Sequence, residues 1–118
     1  MLLVEDEEDV RELTSEILQR VGYTVLETGD PLEALTIAER RGAAIDLLVT
    51  DMVMPAMGGS ELAERLRATW PGLRVLYMSG YAKDMNVPGG SDGPGSRFLQ
   101  KPFTPQDLAR KVREALSV

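Results

Sequence analysis

The stretch VTDMVMP (residues 49–55) follows a nearly unbroken apolar run over residues 45–49 and places one carboxylate, Asp51, at the end of that run. A short apolar run of this kind is typical of a strand that is buried on both faces of a sheet. In open α/β sheets, ligands bind at the carboxyl ends of the strands. Asp51 is therefore a candidate functional residue, and its role depends on which other residues reach the same edge.

Short apolar runs alternate with amphipathic segments along most of the chain. Strands that are joined by helices imply right-handed crossovers and a parallel sheet with helices on both faces. We therefore predict an α/β fold with a doubly wound, five-stranded parallel sheet. The predicted strands are Leu2–Val4, Thr24–Leu26, the strand that ends at Asp51, Leu73–Met78 and Phe98–Gln100.

Capping residues and glycines mark the predicted helix boundaries. In the first helix, apolar residues recur at spacings of three and four, which predicts one buried face. This predicted face consists of Val10, Leu13, Ile17, Leu18 and Val21. The predicted capping residues of the later helices are Asp30, Ser60 and Thr104, and the predicted helix-ending glycines are Gly22 and Gly42.

Pro88–Gly95 interrupts the alternation, between the fourth and fifth strands, where a helix is due. The segment reads PGGSDGPG and has six glycines and prolines in eight positions. Glycine costs about 1 kcal/mol and proline about 3 kcal/mol at an interior helix position. We predict that this helix is short or replaced by a loop, with at most a single turn around Lys83–Asn86.

The length and composition favour one globular domain. The chain has 118 residues, of which 43% are hydrophobic, so residues 1–118 are predicted to form a single domain with one packed core. The net charge of −6 argues against direct nucleic-acid binding, which needs clustered Lys and Arg. No apolar stretch approaches the roughly 20 residues that span a bilayer. We expect a cytoplasmic domain that makes no membrane contact.

Cysteine and histidine are both missing from the sequence. The lack of cysteine excludes disulfides, thiolate metal sites and a thiol nucleophile. The lack of histidine removes the commonest general base and an imidazole metal ligand. It also prevents this chain from carrying phosphohistidine itself.

Polar side chains follow four of the predicted strands at their carboxyl ends, namely Glu5 and Asp6, Asp51, Ser79 and Lys101. Carboxylates 4 Å apart repel by about 4 kcal/mol per pair at an effective dielectric constant near 20, and Lys101 supplies only one positive charge. An all-oxygen ligand set favours Mg²⁺ over zinc. An aspartate beside Mg²⁺, a hydroxyl and an ammonium group is suited to accept a phosphoryl group as the nucleophile.

Four segments carry a family resemblance: LLVEDE (2–7), DMVMPAMGG (51–59), MSGYA (78–82) and FLQKPF (98–103). In this order and at these separations they resemble the receiver domain of two-component response regulators, over nearly the whole chain. The resemblance implies a flavodoxin-like sheet with strand order 2-1-3-4-5. The last two segments are also similar to receivers that are attached to hybrid sensor histidine kinases.

The resemblance implies a phosphoacceptor and a metal site. Asp51 matches the residue that accepts the phosphoryl group, and Asp6 matches the direct Mg²⁺ ligand. Glu5 is implied to act on the metal through water, and Val53 is implied to contribute its backbone carbonyl.

The resemblance also implies a switch. Ser79 matches the switch hydroxyl, and Lys101 matches the family's invariant lysine, whose bond to Pro102 is implied to be cis. Phe98 falls at the aromatic switch position, although its place within a short strand favours a core role.

The predicted function is phosphorelay signal transduction, with a histidine kinase or a histidine phosphotransfer domain as the donor and an unknown output partner. The chain is predicted not to be an enzyme, although it would assist its own phosphorylation and dephosphorylation. One alternative is a small Mg²⁺-dependent phosphatase, but such enzymes usually have a second aspartate where this chain has Val53. Another alternative is a degenerate receiver that acts only as a protein-binding module.

Overall fold

A computed structural model of the chain describes residues 1–41, 45–79 and 96–117. Strands and helices alternate along the described part of residues 1–79, and residues 96–117 contain a strand followed by a helix, which confirms the predicted α/β class. The elements are β1 (Leu2–Val4), α1 (Glu8–Arg20), β2 (Leu26–Thr28), α2 (Pro31–Arg41), β3 (Leu47–Asp51), α3 (Gly59–Thr69), β4 (Arg74–Ser79), β5 (Ser96–Gln100) and α4 (Pro105–Leu116).

The five strands form one parallel sheet in the order β2-β1-β3-β4-β5, which confirms the doubly wound arrangement. The chain runs outward from β1 to β2 and then crosses back to β3 on the other side of β1. The gap between the ends of β1 and β3 is therefore the topological switch point, where ligands bind in such sheets. In the strand register, Asp51 pairs with Met78, and Ser79 pairs with Gln100.

The core has two layers, one on each face of the sheet. Successive residues of a strand point to opposite faces, so Leu2 and Val4 pack in one layer and Leu3 packs in the other. Helices α2 and α3 cover the first layer through residues such as Ala38 and Leu62. Helices α1 and α4 cover the second layer. Helices therefore lie on both faces, as predicted.

Helix α1 packs differently from the predicted apolar face. Leu13 is 56% exposed and Val21 is 52% exposed, so the prediction is wrong for these two residues. Thr14 and Ser15 are buried in their place. The Thr14 hydroxyl donates a hydrogen bond of 2.7 Å to the backbone carbonyl of Val10. This bond replaces the hydrogen bond to water that the hydroxyl loses when it is buried.

Glycine determines where α3 begins. The prediction that Ser60 caps this helix is wrong, because the N-cap is Gly58 and the helix already starts at Gly59. A side chain at Gly59 would overlap the backbone carbonyl of Asp51. The backbone N–H of Gly59 donates a hydrogen bond of 3.0 Å to the carbonyl of Met52. The first turn of α3 thus lies directly against the end of β3, and only glycine fits there.

The remaining element boundaries lie within two residues of the predicted ones. Strand β2 lies two residues later than predicted, because its sequence LET carries a weaker apolar signal than the residues before it. Strand β4 is shifted by one residue, and β5 begins two residues earlier than predicted, at Ser96. Thr104 caps α4 in a reciprocal capping box with Asp107, as predicted.

Three sequence predictions concern residues outside the described ranges: the helix end at Gly42, the turn around Lys83–Asn86 and the loop Pro88–Gly95. Gly22, by contrast, follows the end of α1 with a φ of 100°, in the left-handed region that favours glycine. Among the described residues, no helix combines the length and apolar composition needed to cross a membrane.

Candidate functional site

Three carboxylates meet at the switch point of the sheet. Glu5 and Asp6 follow β1, and Asp51 is the last residue of β3. One carboxylate oxygen from each residue lies within 4.8 Å of the others. Glu5 is fully buried and Asp51 is 7% exposed, whereas Asp6 is exposed. The cluster is therefore open to solvent on the side of Asp6.

Lys101 reaches this cluster from the segment that follows β5. Its Nζ lies 2.7 Å from Oε2 of Glu5 and 3.5 Å from Oδ2 of Asp51. Its backbone N–H donates to the carbonyl of Ser79 at 2.7 Å, which ties it to the end of β4. The peptide bond between Lys101 and Pro102 is cis, the isomer that the family resemblance implies.

Both carboxylate oxygens of Glu5 have partners within the protein. Oε1 accepts a hydrogen bond of 3.1 Å from the backbone N–H of Glu7, and Oε2 accepts one from Lys101. Burial would make an unpaired carboxylate very unfavourable, so these two bonds explain how Glu5 is accommodated. Of the three carboxylates, only that of Asp6 is exposed to solvent.

Three ionisable groups of the site, Glu5, Asp51 and the half-buried Lys101, have raised pKa values. Burial raises the pKa of both Glu5 and Asp51, and the nearby Lys101 only partly opposes that effect. Burial alone would lower the pKa of Lys101. Its hydrogen bond to Glu5 and the charges of Glu5 and Asp51 outweigh burial and raise it.

The donor set of this cluster fits a hard divalent cation. Three carboxylates face a single ammonium group, and every candidate ligand atom is an oxygen. Mg²⁺ prefers such ligands and usually retains several waters, for which the exposed side at Asp6 leaves room. A divalent cation would also relieve the repulsion that accompanies the burial of Asp51 and Glu5.

The candidate switch residues lie on the neighbouring strands. Ser79 ends β4 and is 1% exposed. Phe98 pairs with Tyr77 in the strand register, and the two rings stack with their centroids 5.3 Å apart. Phe98 is half-buried, while Tyr77 is fully buried. Val53 follows β3, and the residue is 62% exposed.

Sequence reasoning identified the residues that converge here but missed several of their supports. It did not anticipate that the nearest partner of Lys101 is Glu5 rather than Asp51. It also missed Arg11, which donates a hydrogen bond of 3.0 Å to the backbone carbonyl of Glu5. No local pattern distinguishes Arg11 from an exposed helix arginine, so only its position in the fold reveals this contact.

Comparison with known proteins identifies the family of this chain. The sequence model of the response regulator receiver domain matches residues 1–113. The sensor kinase CckA of Brucella abortus (strain 2308) is 43% identical over 119 residues, a match that covers 98% of this chain and 12% of that protein. The response regulator receiver protein CpdR of the same organism is 33% identical over 117 residues, covering 98% of this chain and 95% of CpdR.

Solved structures show the same architecture. The receiver domain from the hybrid histidine kinase CckA superposes with a TM-score of 0.83 at 37% identity, covering 98% of this chain and 96% of that chain. A response regulator receiver domain protein from Clostridium thermocellum superposes with a TM-score of 0.88 at 26% identity, covering 98% of this chain and 92% of that chain.

Proposed function

Because this chain belongs to the family of response regulator receiver domains, which act in two-component phosphorelay signalling, we propose that Asp51 is the residue on which it accepts a phosphoryl group. The observation that carries the proposal is the position of the Lys101 ammonium group, 3.5 Å from Asp51 among a cluster of carboxylates. That ammonium group is held where it can contact a phosphoryl group on Asp51. We further propose that residues 1–118 form a single receiver domain.

The donor in this proposal is a phosphohistidine on a histidine kinase or a histidine phosphotransfer domain, because this chain has no histidine. An oxygen of Asp51 forms a bond to phosphorus while the phosphorus–nitrogen bond of the donor breaks and the electron pair returns to the imidazole. Asp51 reacts as the carboxylate, so no general base is needed. Lys101 and the hydroxyl of Ser79 stabilise charge on the phosphoryl oxygens.

The proposed metal site consists of Asp6 and Asp51 as direct Mg²⁺ ligands, the backbone carbonyl of Val53, and Glu5 acting through water. The engagement of both Glu5 oxygens by Glu7 and Lys101 supports an indirect role for Glu5. Bound Mg²⁺ supplies positive charge that offsets the negative charge of the phosphoryl group.

An apolar depression beside the site supports a protein donor. It has a volume of about 360 Å³ and is lined by Val10, Leu13, Thr14, Lys101, Pro102 and Phe103. Leu13 is more than half exposed there, so its apolar side chain is accessible to a partner protein. We propose that the donor protein packs on this depression while its phosphohistidine reaches Asp51.

The proposed output is a change in the surface around β5. Phosphorylation adds negative charge near Ser79, the hydroxyl moves to bond it, and Phe98 shifts against Tyr77 and repacks its surroundings. Ser79→Ala should retain most phosphoryl acceptance while it uncouples the surface change. If phosphorylation produces as large a spectroscopic change around Phe98 in this variant as in the parent protein, this sequence of events is rejected.

The similarity to CckA supports a parent protein of the hybrid histidine kinase type, in which the donor is another domain. The phosphatase alternative has no support at this site, because the exposed Val53 stands where a second aspartate would act as acid and base. A degenerate receiver is the remaining alternative, and it would fail to take up phosphate.

The direct test is the intact mass of the protein after incubation with a small phosphodonor and Mg²⁺. We expect a gain of one phosphoryl group that is abolished by Asp51→Asn and by a chelator. Uptake that persists in Asp51→Asn would reject Asp51 as the acceptor. Absence of uptake from both a small donor and a phosphohistidine protein would favour the degenerate receiver.

A further inference from the structure

The guanidinium group of Arg11 contacts the backbone that joins Glu5 and Asp6, the acidic pair of the site. Nη1 donates a hydrogen bond of 3.0 Å to the main-chain carbonyl of Glu5. Nε lies 3.7 Å from a carboxylate oxygen of Glu27 on β2, and the Arg11 side chain is only 20% exposed. Arg11 therefore bridges from α1 to the ends of both β1 and β2.

The contacted carbonyl belongs to the peptide unit between Glu5 and Asp6. A peptide unit is planar, so fixing the direction of its carbonyl also fixes the N–H and Cα of the next residue. Asp6 is the exposed member of the acidic cluster and lacks the burial that immobilises Glu5. The hydrogen bond from Arg11 is thus a restraint on where the Asp6 carboxylate can lie.

Gly29 makes room for this guanidinium group. A Cβ at Gly29 would overlap Nη1 of Arg11 and would lie 3.4 Å from the carbonyl oxygen of Glu5. The φ of Gly29 is not positive, so space rather than backbone conformation requires glycine at this position. The neighbouring backbone N–H of Glu5 donates to the carbonyl of Thr28 at 3.1 Å, which brings this turn against the acidic pair.

We propose that Arg11 is a positioning residue that orients the Glu5–Asp6 peptide for metal binding, and that Gly29 is required because it leaves space for the Arg11 guanidinium group. The inference rests on the proposed Mg²⁺ site. Arg11 acts through the backbone and does not contact the metal ligands' carboxylates or the phosphoryl group.

Electrostatics and positioning predict opposite effects of removing Arg11. Arg11→Met deletes a positive charge near a cation site, which by Coulomb's law alone would strengthen Mg²⁺ binding. If Arg11 positions Asp6, the same variant should bind Mg²⁺ more weakly. Loss of a residue that orients metal ligands typically weakens binding by about 10-fold or more, so the geometric effect should exceed the charge effect.

Gly29→Ala provides an independent perturbation that retains the arginine. Its Cβ would meet the flexible end of the Arg11 side chain, so the protein can fold by displacing the guanidinium group. We expect about 10-fold weaker Mg²⁺ binding in this variant as well. In the double variant the alanine has nothing left to displace, so Arg11→Met with Gly29→Ala should bind no more weakly than Arg11→Met alone.

The experiment is calorimetric titration of the parent protein and these variants with Mg²⁺, together with thermal unfolding without metal. Matched controls are Arg20→Met, an exposed arginine of the same helix, and Gly72→Ala, where no atom lies within 4 Å of an added Cβ. Both controls should leave Mg²⁺ affinity unchanged.

The outcomes distinguish this inference from the proposed function. Unchanged or tighter Mg²⁺ binding in Arg11→Met, or additive effects of the two substitutions, would overturn the inference while the metal site stands. Lower thermal stability with unchanged affinity would show that Arg11 is only structural and would also overturn it. No Mg²⁺ binding by the parent protein would reject the proposed site and this inference together.

Discussion

Asp51→Asn should stabilise the metal-free protein, although it removes the proposed acceptor. The acidic cluster oxygens lie within 4.8 Å of one another, so Glu5 repels Asp51 by about 3.5 kcal/mol at an effective dielectric constant of 20. The exposed Asp6 carboxylate adds roughly 1–2 kcal/mol of repulsion on Asp51 after solvent screening. Lys101, at 3.5 Å, attracts Asp51 by about 4.7 kcal/mol.

These charge effects nearly cancel, so the desolvation of the buried Asp51 carboxylate decides the result. Burial is also the largest cause of the raised pKa of Asp51. An asparagine of nearly the same shape avoids most of that penalty. We expect Asp51→Asn to increase the free energy of unfolding by about 1–2 kcal/mol at pH 7 without metal, or roughly 3–8 °C in the melting temperature.

The pH dependence follows from the direction of the shift. A carboxyl with a raised pKa in the folded state stabilises the protein below its unfolded pKa, and that stability is lost as pH rises through the folded pKa. The difference in the free energy of unfolding between the variant and the parent should therefore be largest at neutral pH and should disappear as pH falls towards about 4. Mg²⁺ at ten times its dissociation constant should stabilise the parent by about 1.4 kcal/mol and so reduce the difference in the free energy of unfolding between the two proteins.

The assay is urea and thermal unfolding of both proteins, with and without Mg²⁺, at several pH values. Glu64→Gln is the control for a carboxylate-to-amide change at an exposed site, because Glu64 lies on the exposed side of α3. Its effect should stay within about 0.5 kcal/mol. A metal-free Asp51→Asn protein that is less stable than the parent at pH 7, or a gap that does not change with pH, would refute this reasoning.

Three further substitutions test other parts of the site. Lys101→Met removes the ammonium group that pairs with the buried Glu5 carboxylate, so we expect about 3 kcal/mol lower stability by urea unfolding and loss of phosphoryl uptake by intact mass. Stability equal to the parent would contradict a stabilising ion pair between Lys101 and Glu5. Leu13→Glu should slow uptake from a phosphohistidine protein about 10-fold and leave uptake from a small phosphodonor unchanged. The control is Val21→Glu at the C-cap of the same helix, where Val21 is 52% exposed, and it should affect neither. Gly59→Ala should lower the free energy of unfolding by about 2 kcal/mol, since its Cβ would overlap the Asp51 backbone; no measurable loss would show that α3 can move away from β3.

The α/β class and the strand-end residues were predictable because both depend on local patterns. Apolar runs, helix periodicity and punctuation by Gly and Pro are read over a few residues, and they identified all five strands with shifts of at most two residues. The parallel sheet then requires that residues at strand carboxyl ends share an edge. The convergence of Glu5, Asp6, Asp51 and Lys101 followed from that reasoning alone.

Packing details were not predictable in the same way. The periodicity of α1 does not specify which residues of the apolar stripe are covered by the sheet, so Leu13 was predicted to be buried although it is exposed, and the burial of Thr14 was not predicted. Ser60 has the chemistry of a cap, but the close approach of α3 to β3 required glycine at the helix start instead. Each error concerns a distance between two elements, and a single stretch of sequence contains no such information.

Local sequence patterns specify the order of the elements, the edge of the sheet that carries the chemistry and the residue types found there. The pairing of those residues depends on how distant segments pack together in three dimensions. Lys101 binds Glu5 more closely than Asp51 across 96 positions of chain, and Arg11 reaches the Glu5 backbone through the space left by Gly29. Hydrogen bonds act over about 3 Å, so contacts of this kind depend on the packing of distant segments rather than on sequence spacing.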